Sequence, residues 1–398
     1  MNSFEQNADM NTPLKIGIAG CGIGGLTAGA LLAAAGHEVT IYDQFDAPAP
    51  VGSGLVVQPV GQEVLLAVGA YDAAIAMGAK ITEMNGHEIK RGRHVLNVSY
   101  GREFGLGIHR ASLFSVLYDA AIKAGCRIEA GSKVISSDLA DQARTLTLAD
   151  RTVGPFDLVI DALGAGSELS AIKRKPLRYG AIWGTVDWPA DTTLPMNQLS
   201  QSYRAASNMV GVLSIGLMPN DPTPKAAIFW SLRQKDYESW RTTPLDDWKA
   251  EATTLWPEFA PFLTQITSHD DFTMARYGHG TLAQTVGERM VHIGDAAHCA
   301  SPQLGQGANM AMLDAHALAL AIAKHPLDRA LPAYAKSRRL HVGLYQFLSW
   351  ALTPMYQSDS KIMPWLRDWI LAPLSNIPPF PWLLTKVGTG NIIPPRRN

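Results

Sequence analysis

Only three cysteines, Cys21, Cys126 and Cys299, occur in 398 residues, and no two form a C-x-x-C pair. That argues against a disulfide framework or a cysteine-based zinc site, and it fits a reducing, cytoplasmic setting. Charge is not in excess in either direction. With 34 Lys and Arg against 35 Asp and Glu, the chain makes no electrostatic case for a nucleic-acid partner. No uninterrupted apolar stretch is long enough to span a bilayer, so no transmembrane segment is expected. Internal repeats and low-complexity segments are absent. The opening MNSFEQNADMNTP is polar and has no apolar core, so residues 1–13 read as a flexible tail rather than a signal peptide. Tryptophan is missing from the first 182 residues, and all ten fall at or after Trp183.

Against this background one stretch stands out, Lys15 to Asp43. A short apolar run containing Ile16 and Ile18 leads into Gly20-Cys21-Gly22-Ile23-Gly24-Gly25. A helix-type run from Leu26 to Ala35 follows, Gly36 stops it, and a second apolar run ends in Asp43. That is strand, glycine turn, helix, strand. Gly20 makes the turn, Gly22 admits the backbone of the loop to a pyrophosphate, and Gly25 allows close helix–strand packing, with Gly24 between them. The helix N-terminus presents N–H groups and a positive dipole end to phosphates. Asp43, 23 residues after Gly20, falls where an acid can hold a ribose hydroxyl and disfavour a 2′-phosphate. NAD and FAD both satisfy these requirements.

Further along, His109-Arg110 precedes a helix running to Ala124. Arg110 reads either as a solvated charge or as a donor to the nucleotide, since Arg suits phosphate geometry. Cys126–Ala130 and Lys133–Ser137 read as strands, Thr145–Leu148 with the Arg151–Pro155 turn as a hairpin, and Asp157–Ala162 as a buried parallel strand. From Pro176 to about Thr285 the pattern changes to strand-like runs with polar turns, a meander expected to form an inserted antiparallel sheet. Six tryptophans lie there, including Trp183 and Trp230. They are expected to serve mostly as packing, with an aromatic-lined pocket on one sheet face.

A second glycine turn then follows the strand Met290–Ile293. It reads Gly294-Asp295-Ala296-Ala297-His298, continues through Pro302 to Gly305-Gln306-Gly307-Ala308-Asn309, and opens a helix to Lys324. One such turn suffices for an ADP group. The second needs ligand atoms of its own, and a flavin supplies them: N–H groups near Gly307 to Asn309 would stabilise the anionic edge of a reduced flavin ring. Asp295 would take ribityl or ribose hydroxyls. His292 and His298 flank this turn six residues apart and are expected to be structural. No metal-ligand spacing is present among the histidines. Past Pro326 the chain reads as helical, Tyr334–Leu352 and Pro364–Leu371, with Trp350, Trp365, Trp369 and Trp382 among Leu and Ile. Clustering of Lys and Arg on one face of these helices is not evident, so packing or a dimer contact is expected there rather than a membrane surface.

Taken together, the Gly20–Gly25 turn, Arg110 before its helix, and Gly294-Asp295 with Pro302, Gly305, Gly307 and Asn309 resemble the FAD-dependent aromatic hydroxylases, the single-component flavoprotein monooxygenases related to para-hydroxybenzoate hydroxylase. The resemblance covers about Lys15 to Arg339. It implies an α/β fold: a Rossmann-like FAD-binding domain (14–175 and 286–340), an inserted antiparallel-sheet substrate domain (176–285) and a C-terminal helical segment (341–398). It implies that Gly20, Gly22, Gly24, Gly25 and Asp43 hold the ADP part of FAD. Arg110 and Asp295 contact the cofactor, Gly305, Gly307, Ala308 and Asn309 meet the flavin ring, and Pro302 lies at the reaction pocket.

The chemistry implied is reduction of FAD by NADH or NADPH, reaction with O2 to a flavin C4a-hydroperoxide, and oxygen transfer to an apolar phenol-type or heteroaromatic ring. Candidate bases on the middle sheet are Tyr203, Arg204, Tyr277 and His279. Tyr203, as a catalytic and pocket residue, and Trp230, as a pocket residue, are the leading choices. The partners implied are a small aromatic substrate and O2, on a monomer or homodimer. One departure stands out: Leu163-Gly164 replaces the family's Asp-Gly. It keeps open a flavin-dependent reductase or dehydrogenase on the same fold that does not use O2.

Overall fold

The computed structural model describes residues 12–46 and 52–393; the expected tail, residues 1–13, lies almost wholly outside them. Two sheets organise the chain. The first begins with β1 (Lys15–Ala19), α1 (Ile23–Ala34) and β2 (Glu38–Tyr42). β1 pairs in parallel with β2, Ile16 beside Val39 and Ile18 beside Ile41, and on its other side with strand Leu158–Asp161. Strands Met290–His292 and Val286–Gly287 extend one edge, and Arg127–Glu129 the other. The run of Ile and Val at these positions reflects burial on both faces, because parallel sheets are covered by helices on each side. α1 has seven buried positions, most of them Gly, Ala or Leu, so helices pack close upon it.

The second sheet has eight strands, in the order His298–Cys299, Phe272–Thr281, Lys175–Asp187, Lys225–Arg233, Asn208–Ser214, Gln198–Arg204, Glu83–Glu88, Arg93–Ser99. Four of these, from Lys175 to Arg233, match the expected meander. Two others correct the expected boundaries: Glu83–Glu88 and Arg93–Ser99 come from the segment assigned to the nucleotide fold and extend the sheet beyond Gln198–Arg204. The middle region also holds helices Tyr237–Thr242, Leu245–Leu255 and Ala260–Leu263, which the strand reading did not anticipate. They cover one face of this sheet with a cluster of Trp230, Trp240, Trp248, Trp256, Phe259 and Phe262.

The C-terminal part is helical, as expected, but its first helix is longer than the sequence reading. It runs from Leu327 to Tyr356 with Pro332 and Pro354 inside it. Proline removes a donor and usually ends a helix, which is why the sequence favours shorter pieces. Buried Tyr334, Arg338, His341, Val342 and Tyr345 hold the helix in place. Helix Ile362–Leu366, a π turn Arg367–Leu371 and helix Phe380–Thr389 complete the cap.

Candidate active site

The first glycine corner is built as its sequence requires. Gly20 has φ of +106°, and a Cβ there would lie 2.5 Å from the Ala162 carbonyl oxygen. A Cβ on Gly25 would fall 2.0 Å from the Gly20 carbonyl oxygen, so the helix can start against its own turn only without a side chain. Above Gly22 the space is open: nothing lies within 4 Å of where its Cβ would be. No side chain caps α1, which leaves its N-terminal donors to a ligand. Asp43 accepts the Cys21 N–H at 2.7 Å and the Phe45 N–H at 3.1 Å, which fixes the carboxylate beside the turn.

The second corner sits next to the first. Gly24 and Gly294 both face Ala311 of helix Gly307–Lys324: a Cβ on either would come within 3.4 and 3.0 Å, respectively, of the Ala311 Cβ. Small residues at these three positions bring the starts of the two helices together. Helix Gly307–Lys324 also has no side-chain cap, and the space above Gly307 is open. Gly305 precedes it with φ of +60°; Ala308 is half-buried in the first turn.

Asn309 is fully buried, and its side chain is committed to the protein. Its Oδ1 accepts the Gln58 N–H at 2.8 Å, and its Nδ2 donates to the Val56 and Gly305 carbonyls at 3.1 and 3.0 Å. It clamps strand Gly54–Val57 to the corner, leaving only its backbone for the ring edge.

Asp295 stands exposed in the turn Gly294–Ala296, between the strand Met290–His292 and the second corner. Its side chain reaches solvent but is surrounded by protein, and burial raises its carboxyl above the ordinary range, opposed by the nearby His298, Arg110 and Arg174. Arg110 is therefore near Asp295. It opens helix Arg110–Lys123, and its N–H donates to the Ser53 carbonyl at 2.9 Å. Arg174, which the sequence did not single out, reaches from the start of the second sheet and donates to the Ala165 carbonyl at 2.9 Å.

Behind Asp295 a buried network fixes the loop. Asp314 accepts from the Gly294 N–H at 2.9 Å and from Arg338 Nε at 2.7 Å, and pairs with His298 Nε2 at 2.7 Å. Its carboxyl is held well below the usual range by His298 and Arg338 in spite of burial. Arg338 continues to His341, which meets the Gly390 carbonyl at 3.1 Å.

The turn after Leu158–Asp161 is braced without the family's aspartate. Asp161, fully buried two residues before Leu163, accepts the Leu163 N–H at 3.1 Å and the Ser167 hydroxyl at 2.6 Å, and pairs with His292 Nδ1 at 2.7 Å. The only signal in the sequence was an acid closing an apolar strand.

On the second sheet, the face toward Arg110 carries the aromatic groups. Trp183 packs against Phe229 with ring centroids 4.5 Å apart and planes tilted by 32°, and its Nε1–H donates to the Tyr277 hydroxyl at 2.8 Å. Burial raises the Tyr277 phenol to about 12, with the Trp183 hydrogen bond and nearby Arg110 opposing. Two residues on, both ring nitrogens of His279 are buried without a hydrogen-bond partner, and desolvation lowers its pKa.

Two expectations are corrected here. Trp230 points to the opposite face, where it packs edge-on against Trp248 at 5.8 Å beneath the helices. Its neighbour Phe229 faces the other way, buried with Tyr203 and against Trp183. Tyr203 is on the correct face but sealed: 1% exposed, its hydroxyl donates to Gln201 Oε1 at 2.9 Å beneath Tyr356. Burial holds its phenol well above the ordinary value, so it is no base. Arg204 is also removed from the site, bonded at the surface to Asn208 and Glu251. Pro302 begins a short turn, half-buried, and the preceding Ser301 is tied to Ser349 and Thr353 of the long helix.

Among the described residues no group of three or more His, Cys, Asp or Glu could hold a metal ion. The open backbone above Gly22 and Gly307, two uncapped helix starts side by side, and the acid Asp295 with Arg110 and Arg174 near it fit an elongated dinucleotide with a ring at its far end. These features define the class, a flavin-dependent oxidoreductase with a two-corner cradle. The family model described as FAD binding domain matches residues 14–343, and the chain belongs to that family, that of the FAD-dependent aromatic hydroxylases. FAD is its cofactor.

Among its relatives, kynurenine 3-monooxygenase of Xanthomonas campestris pv. campestris (strain 8004) is 28% identical over 365 residues, 82% of this chain and 76% of that protein. Aurachin C monooxygenase/isomerase of Stigmatella aurantiaca is 26% identical, over 92% of this chain and 96% of that protein. The structure of Klebsiella pneumoniae HpxO complexed with FAD and uric acid has a TM-score of 0.80 at 17% identity, covering 96% of this chain and 98% of that one; this likeness concerns the fold. No helix among the described residues is long and apolar enough to cross a membrane.

Proposed function

We propose that this protein is an FAD-dependent monooxygenase that hydroxylates an apolar aromatic ring, phenolic or heteroaromatic, using NAD(P)H and O2. The observation that carries the reading is the half-buried, hydrogen-bonded pair Trp183 and Tyr277 on the second sheet, with Arg110 near both Tyr277 and Asp295. Bound FAD supplies the redox chemistry: electrons come from NAD(P)H, one oxygen atom of O2 goes to the ring and the other to water.

The chain's own part is to bind, orient and exclude water. Gly22 and the start of α1 would receive the pyrophosphate, and Asp43 the ribose. The uncapped start of Gly307–Lys324 would offer its donors to the ring and stabilise negative charge on it. Half-buried Trp183 offers flat apolar surface for a planar substrate, with buried Phe229 packed against it. The Tyr277 oxygen accepts from Trp183, so its own proton is available to a substrate heteroatom. His279 is neutral near pH 7 because desolvation lowers its pKa, and a neutral imidazole can accept the proton of a ring hydroxyl. The relatives' names, a kynurenine and an aurachin C monooxygenase among them, support a ring substrate without identifying it.

The test is a visible spectrum of the purified protein, followed by NADH or NADPH oxidation and O2 uptake with uncharged phenols, indoles and quinolones. A yellow protein whose O2 uptake rises with one such ring and yields its hydroxylated product supports the reading. Reductant oxidation without O2 incorporation would instead favour the reductase alternative. His279→Gln should lower kcat and remove the acidic limb of the pH profile, with FAD content unchanged.

A further inference from the structure

Nine of the fifteen large hydrophobic side chains exposed among the described residues fall between Leu340 and Trp382. They include four tryptophans: Trp350 at 65% exposure, Trp365 at 54%, Trp369 at 43% and Trp382 at 63%. The other six tryptophans are buried or half-buried in the second sheet and its helices. Concentration of this kind marks an interaction surface rather than scattered exposure. On the long helix the exposed residues form one stripe, Leu340, Gly343, Phe347 and Trp350, at the spacing of a single helical face. Ile362, Trp365 and Trp369 repeat the pattern on the next helix and its π turn.

The charges around this surface have one sign. Between residues 340 and 393 there are two acids, and both are engaged: Asp359 accepts from the Tyr179 hydroxyl at 2.7 Å and from Arg233, and Asp368 pairs with Arg367 at 2.6 Å. Lys361 is exposed beside Ile362. The tertiary fold then adds cations from a distant part of the chain. The hairpin tip Lys90-Arg91-Gly92-Arg93 lies against Trp369, with the Arg93 guanidinium 3.6 Å and the Arg91 guanidinium 5.3 Å from its ring centroid. Glu88, the acid nearest this tip, is turned inward to cap the Lys90 and Arg91 N–H groups.

We propose that this C-terminal face docks on the surface of an anionic lipid bilayer, lying in the interface without crossing it. Tryptophan rings at headgroup depth, aliphatic side chains beneath them and a basic rim are the chemistry that such a surface recognises. A second copy of this chain fits less well. A two-fold contact would bring the same patch against itself, and the basic rim with it, whereas an anionic leaflet complements that rim. The long helix shows Trp350 outward, while on its inner side Ser349 and Thr353 hold Ser301 and Tyr356 covers Tyr203, so the exposed stripe is fixed to the core from within. The docking does not rest on the proposed reaction.

The test uses the FAD-loaded full-length protein with vesicles of phosphatidylcholine alone and with about one-third phosphatidylglycerol, in co-sedimentation and tryptophan-quenching experiments with brominated lipid. Binding is expected to the anionic vesicles, to weaken with salt, and to bring quenching. Lys90→Gln and Arg91→Gln should each weaken it by about fivefold, and Trp350→Ser with Trp382→Ser by about tenfold or more. The flavin spectrum and the circular dichroism of the variants serve as the check on folding. No binding to anionic vesicles, or binding that these substitutions leave unchanged, overturns the proposal. So does a dimer in light scattering that the tryptophan substitutions convert to monomer, which would assign the face to a second copy. Because the readout is partition and not turnover, failure here is distinct from failure of the proposed reaction.

Discussion

At the level of single residues, the site divides into positions where backbone geometry dictates the residue and positions where the neighbours do. Gly20 belongs to the first kind. Gly20→Ala places a methyl 2.5 Å from a carbonyl oxygen at a positive φ, and the expected outcome is a protein purified with less than about one-tenth of its flavin absorbance, since strain of this size costs on the order of 1–3 kcal/mol. Asn309 belongs to the second. Its position at a helix start reads as a flavin contact, but the fold commits its amide to Val56, Gln58 and Gly305. Asn309→Ala strands the buried Gln58 N–H and Val56 carbonyl and releases the more exposed Gly305 carbonyl, and is expected to destabilise by roughly 2 kcal/mol or more, read as a fall in Tm with and without added FAD. Trp183 and Trp230 separate likewise. Trp183→Phe removes the hydrogen bond to Tyr277 and should change aromatic-ligand affinity with little change in Tm. Trp230→Ala opens a cavity on the far face and should cost about 3–5 kcal/mol while leaving the flavin spectrum of the folded fraction intact.

Elements show why some of this was legible. The β1–α1–β2 unit is local: within about 30 residues its glycines, its stop at Gly36 and its terminal acid are set by turn and packing geometry that neighbouring residues impose. The facing of strand Lys225–Arg233 is not local. Seven of its nine residues are buried, so both faces are apolar and the alternation that would tell Phe229 from Trp230 is erased. The long helix illustrates the opposite failure, prolines read as ends and tertiary packing overriding them. That helix makes a pH prediction. Burial, with Arg338 close by, lowers the His341 pKa to about 4 from 6.5. Below about pH 6.5 the unfolded chain takes up a proton that the folded chain refuses until about pH 4. Stability from this group is therefore complete above pH 6.5 and falls as pH drops through that window, by up to about 3 kcal/mol. In His341→Asn this part of the loss is absent, so the Tm difference between wild type and variant should shrink or reverse between pH 6.5 and 4.

For the whole molecule, the two helix starts meet at Gly24, Ala311 and Gly294, so a cofactor reaching both corners would tie the β1–α1–β2 unit to helix Gly307–Lys324. Removing FAD should lower Tm, and restoring it at about a hundredfold over its Kd should return about 2.7 kcal/mol, as calorimetry of apo- and reloaded protein would show. A flat response would mean that the corners do not share one ligand. What residue order determined alone was the nucleotide corner, the second glycine turn and the family, because each depends on glycines and caps a few residues apart. Only the tertiary structure decided that Trp183 meets Tyr277 while Trp230 and Tyr203 do not, that Asp161 braces the turn at Leu163, and that Arg91 and Arg93 lie beside Trp369. These depend on which strand lies beside which and on which face, and side chains hundreds of positions apart carry no local signal of their meeting.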